Sequence, residues 1–139
     1  MGEVKVVQLR DILMAEAEAV ALGPVYQDAR LLVLPVSEAA DEAVTSAIRE
    51  TKAQVGLADV LSKEETEKSI REDFTKWMRV QRAIENARLV SLVWTEEGKP
   101  LLASVEEAAR LPKNVRKALL AAIERQVEKG LLPESQPGG

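Results

Sequence analysis

The chain has 139 residues, no Cys and no His, and 19 basic against 23 acidic residues, a formal net charge of −4. That length suits one domain, which buries about two thirds of its unfolded surface and stands without disulfides. The missing Cys and His remove the usual zinc and iron–sulfur ligands and the one side chain that is a base near neutral pH, and the acidic balance argues against nucleic acid as the main partner.

The charge is uneven. Residues 1–48 hold 3 basic and 8 acidic residues, and the remainder holds 16 and 15. The N-terminal third is therefore an acidic surface. No apolar run reaches 18 residues and no signal peptide is present, so no membrane partner is expected and the cytoplasm is the default compartment.

Val4, Val6 and Val7 suggest a short strand within Met1–Gln8. Leu9–Leu22 reads as a helix with Leu9, Ile12, Leu13, Ala17 and Val20 near one face, stopped by Gly23-Pro24. Leu31–Leu34 is an apolar run of strand length, ended by Pro35, and Val4–Val7 is its only evident pairing partner. Ser37 is a good N-cap for a helix that reaches about Gln54 and ends at Gly56, with Glu38 and Asp41 at its positive end.

Ser62-Lys63-Glu64-Glu65 is a capping box, and it opens the longest helix. Ile70, Phe74, Trp77, Ile84 and Ala87 form its expected buried stripe. Glu64/Lys68, Glu67/Arg71 and Glu72/Lys76 are acid-first pairs four residues apart, which favour a helix. Unbroken from Lys63 to Trp94, that helix would be about 48 Å long. From Leu89 to Trp94 apolar residues cover both sides, which places Trp94 in the middle of the core. Gly98 and Pro100 then stop the chain. A second capping box, Ser104 to Glu107, opens a further helix. Pro112 opens the last one, with Val115, Leu119, Ala122, Ile123 and Val127 on one face and Gly130 as its cap. The expected fold is mainly α: one domain over residues 1–130, a compact bundle of about five helices with at most a small β-ribbon near the N-terminus. Residues 131–139, with two Pro and two Gly, read as a flexible tail.

No chemistry-bearing pattern stands out. Glu64, Glu65, Glu67, Glu72 and Asp73 are interleaved with Lys and Arg, as on a solvated helix face. Ser and Thr have no His to activate them, and no Gly-rich phosphate loop is present. The chain thus reads as non-enzymatic, with no cofactor and no metal. Ser104–Gln126 has the outline of a helix-turn-helix, but Leu111-Pro112 stands where the turn usually has Gly. Phe74, Trp77, Met78 and Trp94 hold most of the aromatic and Met surface. Core packing is the expectation for Phe74 and Trp77, and Met78, beside the stripe, is the preferred partner contact. Met78, Trp77 and Phe74 together are the candidate partner-binding residues.

Ala87-Arg88-Leu89-Val90 with Leu92, then Gly98-Lys99-Pro100-Leu101 and an amphipathic last helix, resembles the C-terminal half of tail assembly chaperones of long-tailed, non-contractile phages. Leu9–Leu13 and Ala29–Val36 resemble that family's opening helix and its one strand-like segment. The resemblance spans about two thirds of the chain. It implies a protein that coats the tape measure protein and keeps it soluble. It also implies help in recruiting tail-tube subunits, weak self-association, work in the host cytoplasm and absence from the finished particle. Members are often also made in a longer, frameshifted form. The alternatives are a small regulator docking on a host enzyme such as RNA polymerase through the acidic N-terminal third, and a helix-turn-helix DNA-binding protein.

Overall fold

The computed structural model describes residues 6–131 of the chain. Val4 and most of the expected tail, 132–139, lie outside them. The elements in order are α1 (Leu9–Glu16), β1 (Glu18–Ala21), a 3-10 turn at Pro24–Tyr26, β2 (Arg30–Val33), α2 (Glu38–Val55), α3 (Lys63–Glu72), α4 (Phe74–Leu92), β3 (Val93–Thr95), α5 (Val105–Ala108) and α6 (Lys113–Leu131). The fold is mainly α, compact, with a small antiparallel sheet ordered β1-β2-β3.

The helix starts follow local chemistry. Ser37, Ser62 and Ser104 each accept a backbone N–H three residues on through Oγ, at 3.2, 3.1 and 3.3 Å. Each bond covers one donor that the first turn leaves orphaned. Gly56 ends α2 in the left-handed region, φ +76°, which costs little only without a Cβ.

The strands differ from expectation. The expected helix over Leu9–Leu22 ends at Glu16, and Glu18–Ala21 become β1. β2 pairs with β1 in the register Val20↔Leu31 and with β3 in the register Val33↔Val93. Val6 and Val7 are exposed and pair with nothing described, so they are not the partner of Leu31–Leu34. The reason is burial: β1 and β3 place Val20 and Val93 against the core on the same face as Leu31 and Val33.

The expected Lys63–Trp94 helix is likewise two helices and a strand. It breaks at Asp73, with φ −118° and ψ 40°, and α4 ends at Leu92. Asp73, Phe74 and Thr75 are weak helix formers in succession, which makes this the cheapest place to break. The break also separates Glu72 from Lys76. Lys68–Glu72 and Lys76–Asp73 pair at 3.9 Å, whereas the pairs expected at Glu64/Lys68, Glu67/Arg71 and Glu72/Lys76 are not formed. Trp94 sits in β3, half-buried, packed at the margin of the core rather than at its centre. Ile70 and Phe74 are exposed, not buried. α6 runs through Gly130, so that glycine caps nothing within the described chain.

The core lies between the sheet, the second half of α4 and α6. Leu89, Leu92, Leu119, Ile123, Val33 and Val93 are its largest fully buried side chains. Two polar ties fix its borders. Gln126, the only buried polar residue among those described, donates its amide to the carbonyls of Glu16 and Val33 at 3.1 and 3.0 Å. Arg116 donates to Glu85 at 3.0 Å, to Asn86 at 2.7 Å and to the carbonyl of Ala108 at 3.1 Å, joining α4, α5 and α6. On the outer edge of β3, Leu101 N–H donates to Val93 O at 3.1 Å, and Gly98 makes the turn at φ +82°. Arg10 of α1 donates to the carbonyl of Glu97 beside that turn.

Leu89 is wholly buried, so Leu89→Ala should lower stability in urea unfolding by about 2–5 kcal/mol, part transfer and part cavity. A second expectation concerns acid. Bidentate hydrogen bonds from Arg125 to Glu18, at 2.7–3.0 Å, hold the Glu18 carboxyl below its ordinary value of about 4.5. Burial opposes the shift, and the charges of Arg125 and Lys129 assist it. A carboxyl lowered in the folded state stabilises the fold above its unfolded value and loses that effect as pH falls through the folded one. Glu18→Gln should therefore be less stable than wild type at pH 7, and the difference should shrink as urea midpoints are followed down through the carboxylate range.

Candidate functional site

α4 carries two apolar stripes. Trp77, Val80, Ile84 and Ala87 recur at helical spacing and face α2, which runs alongside. Phe74, Met78, Gln81, Glu85, Leu89 and Leu92 recur at steps of three or four along the neighbouring face. This second stripe changes character along its length. Leu89 and Leu92 are sealed in the core, and Glu85 is bound by Arg116 of α6. Phe74 is 62% exposed and Met78 48%. The first two turns of α4 therefore leave bare the face that α5 and α6 cover further on.

The three candidate residues fall together on those first two turns but divide between the two faces. Phe74 and Met78, four apart, form the bare patch. Trp77 turns toward α2 and α3, half-buried, and its indole N–H donates to Ser69 Oγ at 2.9 Å. Core packing, expected for Phe74, fails because α4 starts anew at Asp73 and extends beyond the reach of α6. The Lys52 ammonium lies 5.3 Å from the Trp77 ring centre, a cation–π contact. Beside them opens a cleft of about 480 Å³ between α2, residues 57–61, α3 and α4, lined by Ile48, Lys52, Leu61, Trp77, Val80 and Ile84. Val60, 86% exposed, stands at its lining, and Gln81 lies where the cleft meets the bare stripe. Sequence reasoning missed Val60 and Lys52. Neither carries a local signal, because each acquires its place only when α2 folds back along α4.

The charges of the bare segment are of one sign where unpaired. Lys76 pairs with Asp73 and Glu85 with Arg116. Arg79 and Arg82 are exposed and make no ion pair with any described residue.

Among the described residues no group of three or more acidic side chains is placed to hold a metal ion. No described helix is long and apolar enough to cross a membrane. α5 is a single turn with Ala108 fully buried, too short to act as the first helix of a helix-turn-helix. The geometry suits helix capture: an apolar patch with a polar rim, beside a cleft of mixed lining in which Lys52, Asp59, Thr66 and Gln81 stand among apolar side chains. Compared with known proteins, the chain matches no family model, no curated protein and no solved structure.

Because Phe74 and Met78 support little of the fold, Phe74→Ser and Met78→Ser should each shift stability by no more than about 0.5 kcal/mol. Val80→Ala, at a buried position, should cost about 1–3 kcal/mol. Thermal melts of the three variants check the division between bare and packed stripes.

Proposed function

We propose that the protein is a tail assembly chaperone of a long-tailed phage. It would bind the tape measure protein, keep it soluble and help recruit tail-tube subunits in the host cytoplasm, and be absent from the finished particle. The observation that carries the reading is the bare Phe74–Met78 face beside the Trp77 cleft: a modest apolar surface on a helix whose second half is packed in the core. The residues of the family resemblance support it from the other side. Ala87, Leu89 and Leu92 are buried, and Gly98 forms the stop after β3. Such residues hold the fold, and the preceding turns of the same helix are left for a partner.

The physical mechanism is helix capture repeated along one long partner. A single small domain cannot shield a very long helical protein, so many copies bind. Each contact is weak, and neighbours raise the effective concentration of the next. Release during tail maturation requires small interfaces with polar rims rather than obligate ones. The free protein is then soluble and self-associates only weakly.

A second reading rests on α2, where Glu38 and Asp41 of the first turn and Glu42 just after it are exposed and make no ion pair with a described residue. Such an acidic end suits a regulator docking on a basic surface of a host enzyme. Co-expression separates the two. With the downstream tape measure protein, the chain should co-purify in large molar excess and raise the soluble yield of its partner. A one-to-one complex with a host enzyme, and no co-purification with the tape measure protein, would refute the chaperone and promote the regulator.

A further inference from the structure

We infer that the bare first turns of α4 receive an amphipathic partner helix whose apolar stripe is flanked by acidic residues. The inference rests on the chaperone reading for the partner's origin, and on the α4 surface for its chemistry.

Three observations define the occupant. First, the site continues an interface that already exists within the chain. The stripe that runs from Phe74 to Leu92 is covered from Glu85 onward by α5 and α6, with Arg116 of the first turn of α6 bound to Glu85. Phe74, Met78 and Gln81 repeat the spacing that accepts a helix further along, so a second helix meets the same ridges and grooves. Second, the bare segment from Phe74 to Gln81 is about 12 Å long at 1.5 Å per residue. That length takes two to three turns of a partner, seated by two or three apolar side chains. Third, the charges fix the flank away from Trp77. Between Phe74 and Asn86 every charged residue without an ion pair is an arginine, Arg79 and Arg82. Acidic flanks answer them, and basic flanks are repelled. Met78 adds tolerance: its flexible thioether adapts to different apolar side chains, which suits a surface that must grip successive segments of one long helix.

The test uses the full chain and two stapled helical peptides of about four turns, long enough to present the stripe. Both carry the same Leu stripe, one with Glu flanks and the other with Lys flanks. Fluorescence anisotropy of the labelled peptides should show the Glu-flanked peptide binding roughly fivefold to tenfold tighter, the scale of two exposed charge pairs. Arg79→Glu combined with Arg82→Glu should invert that preference. Phe74→Ser combined with Met78→Ser should weaken both peptides by about tenfold or more, with the circular dichroism spectrum unchanged. Equal binding of the two peptides, or a preference that survives the charge reversal, would overturn the inference. So would a wild-type dimer in sedimentation equilibrium that the Phe74 and Met78 substitutions abolish, because the face would then belong to a second copy of the chain. The Glu-flanked preference without co-purification of the tape measure protein upholds this surface and rejects the chaperone. Co-purification with peptides that bind alike rejects this surface and keeps the chaperone.

Discussion

The packing of α4 against two unlike neighbours is the constraint on which the rest of the fold depends. Over its second half the helix is covered on one side by α2 and on the other by α5 and α6, and the chain then enters β3 without a linking loop. Leu89 and Leu92 therefore meet both α6 and the sheet, and Val93 continues the same core as a strand. A fully buried Leu or Val side chain contributes about 1.5–3 kcal/mol, so this short run supplies much of the stability of a small domain. The polar ties are arranged around it. Arg116 locks the end where α6 begins, and Gln126 locks the end where α6 meets the sheet. Removing Gln126 would leave the buried Val33 carbonyl without this partner, and removing Arg116 would leave the half-buried Glu85 carboxylate unpaired.

Much of this was legible in the sequence, and the parts that were not share one cause. Ser37, Ser62, Ser104 and Gly56 act locally, and each ends or begins a helix where its chemistry predicts; Gly98 makes a turn after β3 rather than ending the helix, which stops at Leu92. The strands are not local. Glu18-Ala19-Val20-Ala21 has good helix formers and little strand propensity, yet it pairs with β2 because its one large apolar residue, Val20, is needed on the core face. Val93-Trp94-Thr95 has strong strand propensity, masked by the apolar helix before it. A run that is apolar on all sides suits a buried helix and a buried strand equally, and only the position of β2 decides between them.

The candidate site was legible to a different degree. Helical spacing placed Phe74, Trp77 and Met78 close together, and they are. Spacing could not tell which face a neighbour would cover. α6 begins at Lys113 and is carried toward the sheet by Gln126, so its first turn reaches α4 only at Glu85. The length of one helix thus decides that Leu89 is core and Phe74 is surface, although both stand on one stripe.

That arrangement separates folding from binding along a single rigid element. The half of α4 inside the core is held by contacts that a partner on the bare half would not touch. The bare half is stiffened by the Trp77–Ser69 hydrogen bond, the Lys52 cation–π contact and the packing of Val80 against α2. A patch presented on an already ordered helix loses little conformational entropy when it is covered, so a small area can still bind. The same small area keeps the contact reversible, and the arginines beside it disfavour stacking of like patches on one another. The weak, repeated and temporary contact proposed for this face would need these three properties together, and the break at Asp73 followed by an overhanging α4 provides them.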